Sequence, residues 1–138
     1  MIRVEPDFEY AKIQFSNLSE YSFGEICAPE FNLSALMQIT DRRWMVSENE
    51  QPLFYLGVVH MSLLGSPPEV WILVTRNLHS KVKVLIQLKT LFEVLQKMYK
   101  TLHVRILKNY SKGIRFAKFF GFKKYTSDGD YYIYKLEA

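Results

Sequence analysis

Val70-Trp71-Ile72-Leu73-Val74-Thr75 is an uncharged, mostly apolar run set between Glu69 and Arg76. Such a run predicts a strand buried on both faces, which needs cover above and below its sheet. The segment C-terminal to it decides the architecture. From about Ser80 to Lys100, Leu85, Leu88, Phe92, Leu95 and Tyr99 recur at three- and four-residue steps and share one stripe of a helix. Lys81, Lys89, Glu93, Gln96 and Lys100 fall largely on its other faces. Leu102-His103-Val104-Arg105-Ile106-Leu107 then reads as a further strand, completing a strand–helix–strand crossover.

On the N-terminal side, Arg42 to Val46 and Leu53 to His60 are strand-like and joined by the polar turn Ser47-Glu48-Asn49-Glu50-Gln51, a hairpin. Gly65-Ser66-Pro67-Pro68 reads as a loop. Ile2-Arg3-Val4 opens the chain as a short strand. Pro6-Asp7 supplies a helix start with Asp7 as N-cap, so helices are expected over about 8–18 and 33–39. On the C-terminal side, Ser111 to Phe120 reads as a helix with Ile114 and Phe119 inward, stopped by Gly121. Two strands, Phe122 to Tyr125 and Tyr131 to Leu136, flank the hairpin signal Asp128-Gly129. The order is β-α-α-β-β-β-α-β-α-β-β. It predicts a single α+β domain, 1–138, around one mixed, mostly antiparallel sheet of about seven strands.

Composition excludes several functions. No apolar run reaches the ~18 residues that span a bilayer, and the N-terminus carries no secretory core, so a soluble cytoplasmic protein is expected. A single cysteine, Cys27, forbids an internal disulfide, and His60, His79 and His103 are too scattered for a metal-ligand pattern, so no metal is expected. Charge is segregated along the chain. Residues 1–75 carry four basic and ten acidic side chains, residues 76–124 thirteen basic and one acid, Glu93. A block of that kind suits an anionic partner: cofactor phosphates, nucleic acid or an acidic protein face.

Asn109-Tyr110-Ser111-Lys112-Gly113-Ile114-Arg115-Phe116-Ala117-Lys118-Phe119-Phe120-Gly121-Phe122, together with the element order, resembles the GNAT family of acyl-CoA-dependent N-acetyltransferases over essentially the whole chain. In that family an Asn closes the fifth strand and Gly-Phe opens the sixth. The spacing here is one residue longer than the commonest form. The resemblance implies acetyl-CoA held where the fourth and fifth strands splay apart, along Leu73, Val74 and Thr75, with Asn109 and Phe116 at the second strand's end. It further implies that the turn His79-Ser80-Lys81-Val82-Lys83-Val84 receives the pyrophosphate at a helix N-terminus. Here Ser80, Val82 and Val84 stand where the family usually has glycines, and His79 where it has Arg or Gln. Valine disfavours positive φ and shields its own N–H, so Lys81 and Lys83 would meet phosphate by charge instead.

The family's usual general acid is a Tyr four residues before the glycine of Gly-Phe. That position is Ala117, preceded by Phe116, and neither donates a proton. Tyr110 lies nearest the mouth of the same cleft, and Glu69 and His60, near strand ends, are the side chains able to take a proton from an amine. The short length and the run Ile114 to Gly121 also resemble small GNAT-like proteins of short-tailed bacteriophages, which implies residence in host cytoplasm or virion. Three functions stay open: acetyl transfer to an amine, a catalytically silent GNAT fold acting through protein contacts, and nucleic-acid binding by the block from Arg76 to Lys124. Each makes its own demand on the site.

Overall fold

Asn49 and Glu50 both adopt positive φ, 51° and 68°. This makes the tight two-residue turn whose twist matches the flanking strands. It joins β2 (Thr40–Glu48) to β3 (Gln51–Val59), and β3 runs antiparallel to β4 (Glu69–Val74). The computed structural model describes residues 2–18, 40–60, 67–77 and 81–137. Within them β1 (Ile2–Pro6) precedes this meander. After it come α1 (Lys81–Tyr99), β5 (Thr101–Leu107), α2 (Ser111–Phe119), β6 (Lys123–Asp128) and β7 (Tyr131–Glu137). The seven strands form one sheet in the order β1-β2-β3-β4-β5-β7-β6, with β4 and β5 the parallel pair and the other neighbours antiparallel. The fold is therefore α+β with a mixed, mostly antiparallel sheet, as the element order predicts.

β4 is buried on both faces because its side chains alternate between two cores. Val70, Ile72 and Val74 meet Val84, Leu88, Phe92 and Leu95 of α1, together with Val104 of β5 and Ala117 of α2. Trp71 and Leu73 lie on the opposite face with Phe8, Ile13, Met45, Tyr55 and Val59. At ~1.5–3 kcal/mol per fully buried large apolar side chain, packing rather than helix propensity holds α1 in place. Trp71 also fixes a glycine: a Cβ on Gly57 would lie 2.1 Å from its indole Cε2.

Four expectations are corrected. Residues 8–18 form no α-helix; they make two 3-10 turns, Tyr10–Lys12 and Phe15–Asn17, with only Phe8 and Ile13 buried. Asp7 is not an N-cap: its φ is 53° and its N–H bonds to the carbonyl of Arg43 at 2.9 Å. The segment follows the sheet because Tyr55 donates its hydroxyl to the carbonyl of Lys12 (2.6 Å) and accepts the N–H of Gln14 (3.1 Å). Phe119 points outward and is 68% exposed, while Gly113 and Ala117 face the sheet, since small side chains let α2 approach closely. In the last hairpin the strands run on to Asp128, leaving Gly129 and Asp130 as the turn. The helix expected over 33–39, the loop at Gly65-Ser66 and residues His79 and Ser80 lie outside the described residues. Gly121, φ 93°, ends α2: its N–H bonds to the Lys118 carbonyl and that of Phe122 to the Ala117 carbonyl, the paired arrangement that closes a helix.

Candidate functional site

The two central strands part almost as soon as they meet. β4 and β5 share one registered pair, Glu69 with His103, closed by the His103 N–H donating to the Pro68 carbonyl at 2.8 Å. Thr75 donates its N–H to the Leu53 carbonyl on the β3 side. Peptide groups alternate edges along a strand, so Ile72 turns its N–H and C=O toward β5. No strand bond from β5 reaches them among the described residues. At the far end of this edge, Leu18 bridges Thr75 and the Asn17 carbonyl accepts the Arg76 N–H at 2.8 Å. The opening is thus bounded by Glu69 at its closed end and by the Phe15–Asn17 turn at its mouth. A buried strand edge without a partner strand is a place for an extended amide-bearing ligand to add itself.

At the closed end the electrostatics are concentrated. The Arg105 Nε donates to Glu69 Oε1 at 2.7 Å and its Nη1 to Asp128 Oδ2 at 2.7 Å, tying β5 to both β4 and β6. Burial works against the guanidinium charge, but the hydrogen bond to Asp128 and the Glu69 carboxylate outweigh it and raise its pKa. Glu69 is itself buried. His103, beside it, is held below the ordinary imidazole value by burial first, then by Lys135 and Arg105. His60 lies apart from this group, with its Nε2 3.5 Å from Asp41 and its ring 5.6 Å from that of Tyr99.

The residues expected to hold the cofactor separate into distinct roles. Leu73 packs on the face away from the helices, and Val74 in the helix-side core. The Thr75 hydroxyl donates toward the carbonyls of Pro52 (2.7 Å) and Leu53 (3.1 Å) and accepts the Asn77 N–H (3.2 Å), so it fixes the end of β4. In the first turn of α1 no acid opposes the positive end of the helix. Val82 is 65% exposed while Val84 is buried in the core, so only one of the two valines faces outward. Lys83 reaches Glu48 at 3.2 Å. Asn109 is exposed in a concavity before α2. Phe116 stacks on Phe120, ring centres 5.1 Å apart, and Ala117 is wholly buried, so the helix offers no proton donor there. Tyr110 sits just before α2, where its N–H bonds to the Leu107 carbonyl, and its ring packs on the helix-side core.

Sequence reasoning placed Glu69 at a strand end but did not foresee Arg105 as its partner, or Asp128 as the second carboxylate on that guanidinium. An Arg alternating with apolar residues in β5 was the available signal. Among the described residues no group of His, Cys, Asp and Glu could hold a metal, and no helix is long and apolar enough to cross a membrane.

Solved structures resemble the chain closely in fold and weakly in sequence. The GNAT domain of S. lividans PAT superposes with a TM-score of 0.72 at 12% identity, over 99% of this chain and 90% of that one. IAA acetyltransferase from Bacillus cereus gives 0.70 at 12% identity with both chains covered fully, 100% each. A GNAT family acetyltransferase from Elizabethkingia anophelis with acetyl-CoA bound gives 0.68 at 11% identity, over 99% and 98%. No protein-family model and no curated protein matches the sequence. The chain has the GNAT fold.

Proposed function

We propose that the chain binds acetyl-CoA in the opening between β4 and β5 and transfers the acetyl group to an amine. The observation that carries this reading is the single registered pair, Glu69 with His103, beyond which Ile72 presents an N–H and a C=O with no strand beside them. That edge fits the amide-bearing arm of acetyl-CoA, and the N-terminus of α1, whose first turn contains no acidic residue, fits its pyrophosphate. Bound there, acetyl-CoA supplies a thioester carbonyl open to attack by an amine. Glu69 takes the proton from the attacking amine, directly or through one water. Arg105 fixes that carboxylate through its Nε, while Asp128 shares the guanidinium. The departing thiolate takes its proton from solvent, because Tyr110 lies beyond Leu107, at the end of the opening opposite Glu69, with its ring packed on the helix-side core.

The buried Ala117 favours a second reading, a GNAT fold without turnover that works through its surface, as a phage particle component or a host-factor binder. Thiol release from acetyl-CoA, measured against polyamines, aminoglycosides and lysine peptides, separates the two. Acetyl transfer predicts amine-dependent release that falls on the order of 100-fold in Glu69→Gln. Saturable acetyl-CoA binding with no amine-dependent release supports the second reading instead.

A further inference from the structure

The helix α2 carries charge where its own stability does not want it. Its first turn holds no acid, and Lys108 and Lys112 stand at the end that favours anions. Lys112, Arg115 and Lys118 succeed one another at three-residue steps along the helix, with Lys108 in the turn before it, so like charges gather on one exposed side. A nine-residue helix has little propensity to spare against that repulsion. Among the described residues no carboxylate pairs with Lys108, Arg115 or Lys118, whereas Lys83 and Arg105 of the same basic block have their acids.

That charged side borders a concavity of ≈ 420 Å³ lined by Lys108, Asn109, Ser111, Ile114, Arg115 and Lys118. Lys108 and Lys124 both lie over the ring of Tyr132, at 5.4 and 3.9 Å, which carries the positive surface onto the last hairpin. Phe119, 68% exposed, stands four residues after Arg115 and faces a groove of ≈ 300 Å³ that includes Lys89. Clustered cations with an exposed aromatic among them suit a chain of phosphates bearing flat bases; an acidic peptide would use the charges but not the ring.

We infer that the outer face of α2, together with Lys108 in the turn before it, binds single-stranded nucleic acid. The three cations Lys108, Arg115 and Lys118 provide for about three phosphate contacts. The phosphates lie along Lys108, Arg115 and Lys118, and a base stacks on Phe119. Sequence preference is weak, because no side chain on this face is placed to read a base edge.

Fluorescence anisotropy of a labelled twelve-nucleotide oligothymidylate with the full chain tests this. Affinity should fall roughly 20-fold between 50 and 200 mM salt, as about three phosphate contacts require. Arg115→Gln with Lys118→Gln should weaken binding and lower the salt slope by about 1.4, the share of two contacts. Phe119→Ala should weaken binding roughly 5-fold or more with the slope unchanged, because stacking releases no counterions. Both variants should melt no lower than the parent, which separates lost binding from lost fold. Three results would overturn the inference: no binding at 50 mM salt, polyglutamate binding as tightly as the oligonucleotide with Phe119→Ala silent, or displacement of the oligonucleotide by stoichiometric acetyl-CoA. The last would assign these cations to the cofactor's phosphates.

Discussion

Gly57 has no room for a side chain, because the Trp71 indole occupies the space a Cβ would need, 2.1 Å from Cε2. Gly57→Ala must therefore displace a wholly buried tryptophan, and a loss of ~1–3 kcal/mol or more is expected in urea unfolding. An unchanged midpoint would mean the indole is not seated there. Ala117 is as tightly placed: Ala117→Tyr should lower the melting temperature rather than create a proton donor, since the side chain would enter the core. His103 gives the fold a pH response. Burial, Lys135 and Arg105 depress its pKa, so between the folded value and about 6.5 the unfolded chain binds more protons. The contribution is full above about pH 6.5 and is lost as pH falls through the folded value. Thermal melts at pH 7.5 and 5.0 should show a smaller drop for His103→Gln than for the parent; parallel drops would contradict this.

At the scale of elements, Arg105 holds three strands together through one guanidinium. Arg105→Met leaves the Glu69 carboxylate buried without that partner, so a loss of ~1–3 kcal/mol is expected near neutral pH. Adding Glu69→Gln should restore part of it, and a double-mutant cycle should give a coupling of about 1 kcal/mol. Additive losses would show the pair to be incidental. The central strands and the long helix α1 were legible in the sequence because each buries a regular stripe: Val70 to Val74 on every position, Leu85 to Tyr99 at helical steps; β6, exposed throughout, was legible only from the Asp128-Gly129 turn signal beside it. Residues 8–18 misled because Phe8, Ala11, Phe15 and Leu18 recur at three- and four-residue steps, while Tyr55, more than forty residues away, decides their path through hydrogen bonds. Phe119 misled because size suggested burial, whereas the close approach of α2 selects Gly113 and Ala117. Sequence could place the opening between β4 and β5 only through resemblance, since divergence of two strands leaves no periodic mark.

Over the whole molecule, sheet order tracks chain order up to the final hairpin, so the charge blocks of the sequence become regions of space. The acidic residues 1–75 build β1 to β4, and the basic block builds α1, β5, α2 and the start of β6. The opening between β4 and β5 lies on the border between them, with its mouth toward the N-termini of both helices. On the proposed reading, this basic side of the molecule draws the anionic cofactor toward the open strand edge. Amide shifts of the ¹⁵N-labelled chain during titration with acetyl-CoA, with CoA alone as comparison, test that account most directly. Saturable shifts centred on Ile72 and the first turn of α1 are predicted. Amides of β4 and β5 left unmoved at millimolar acetyl-CoA would contradict it.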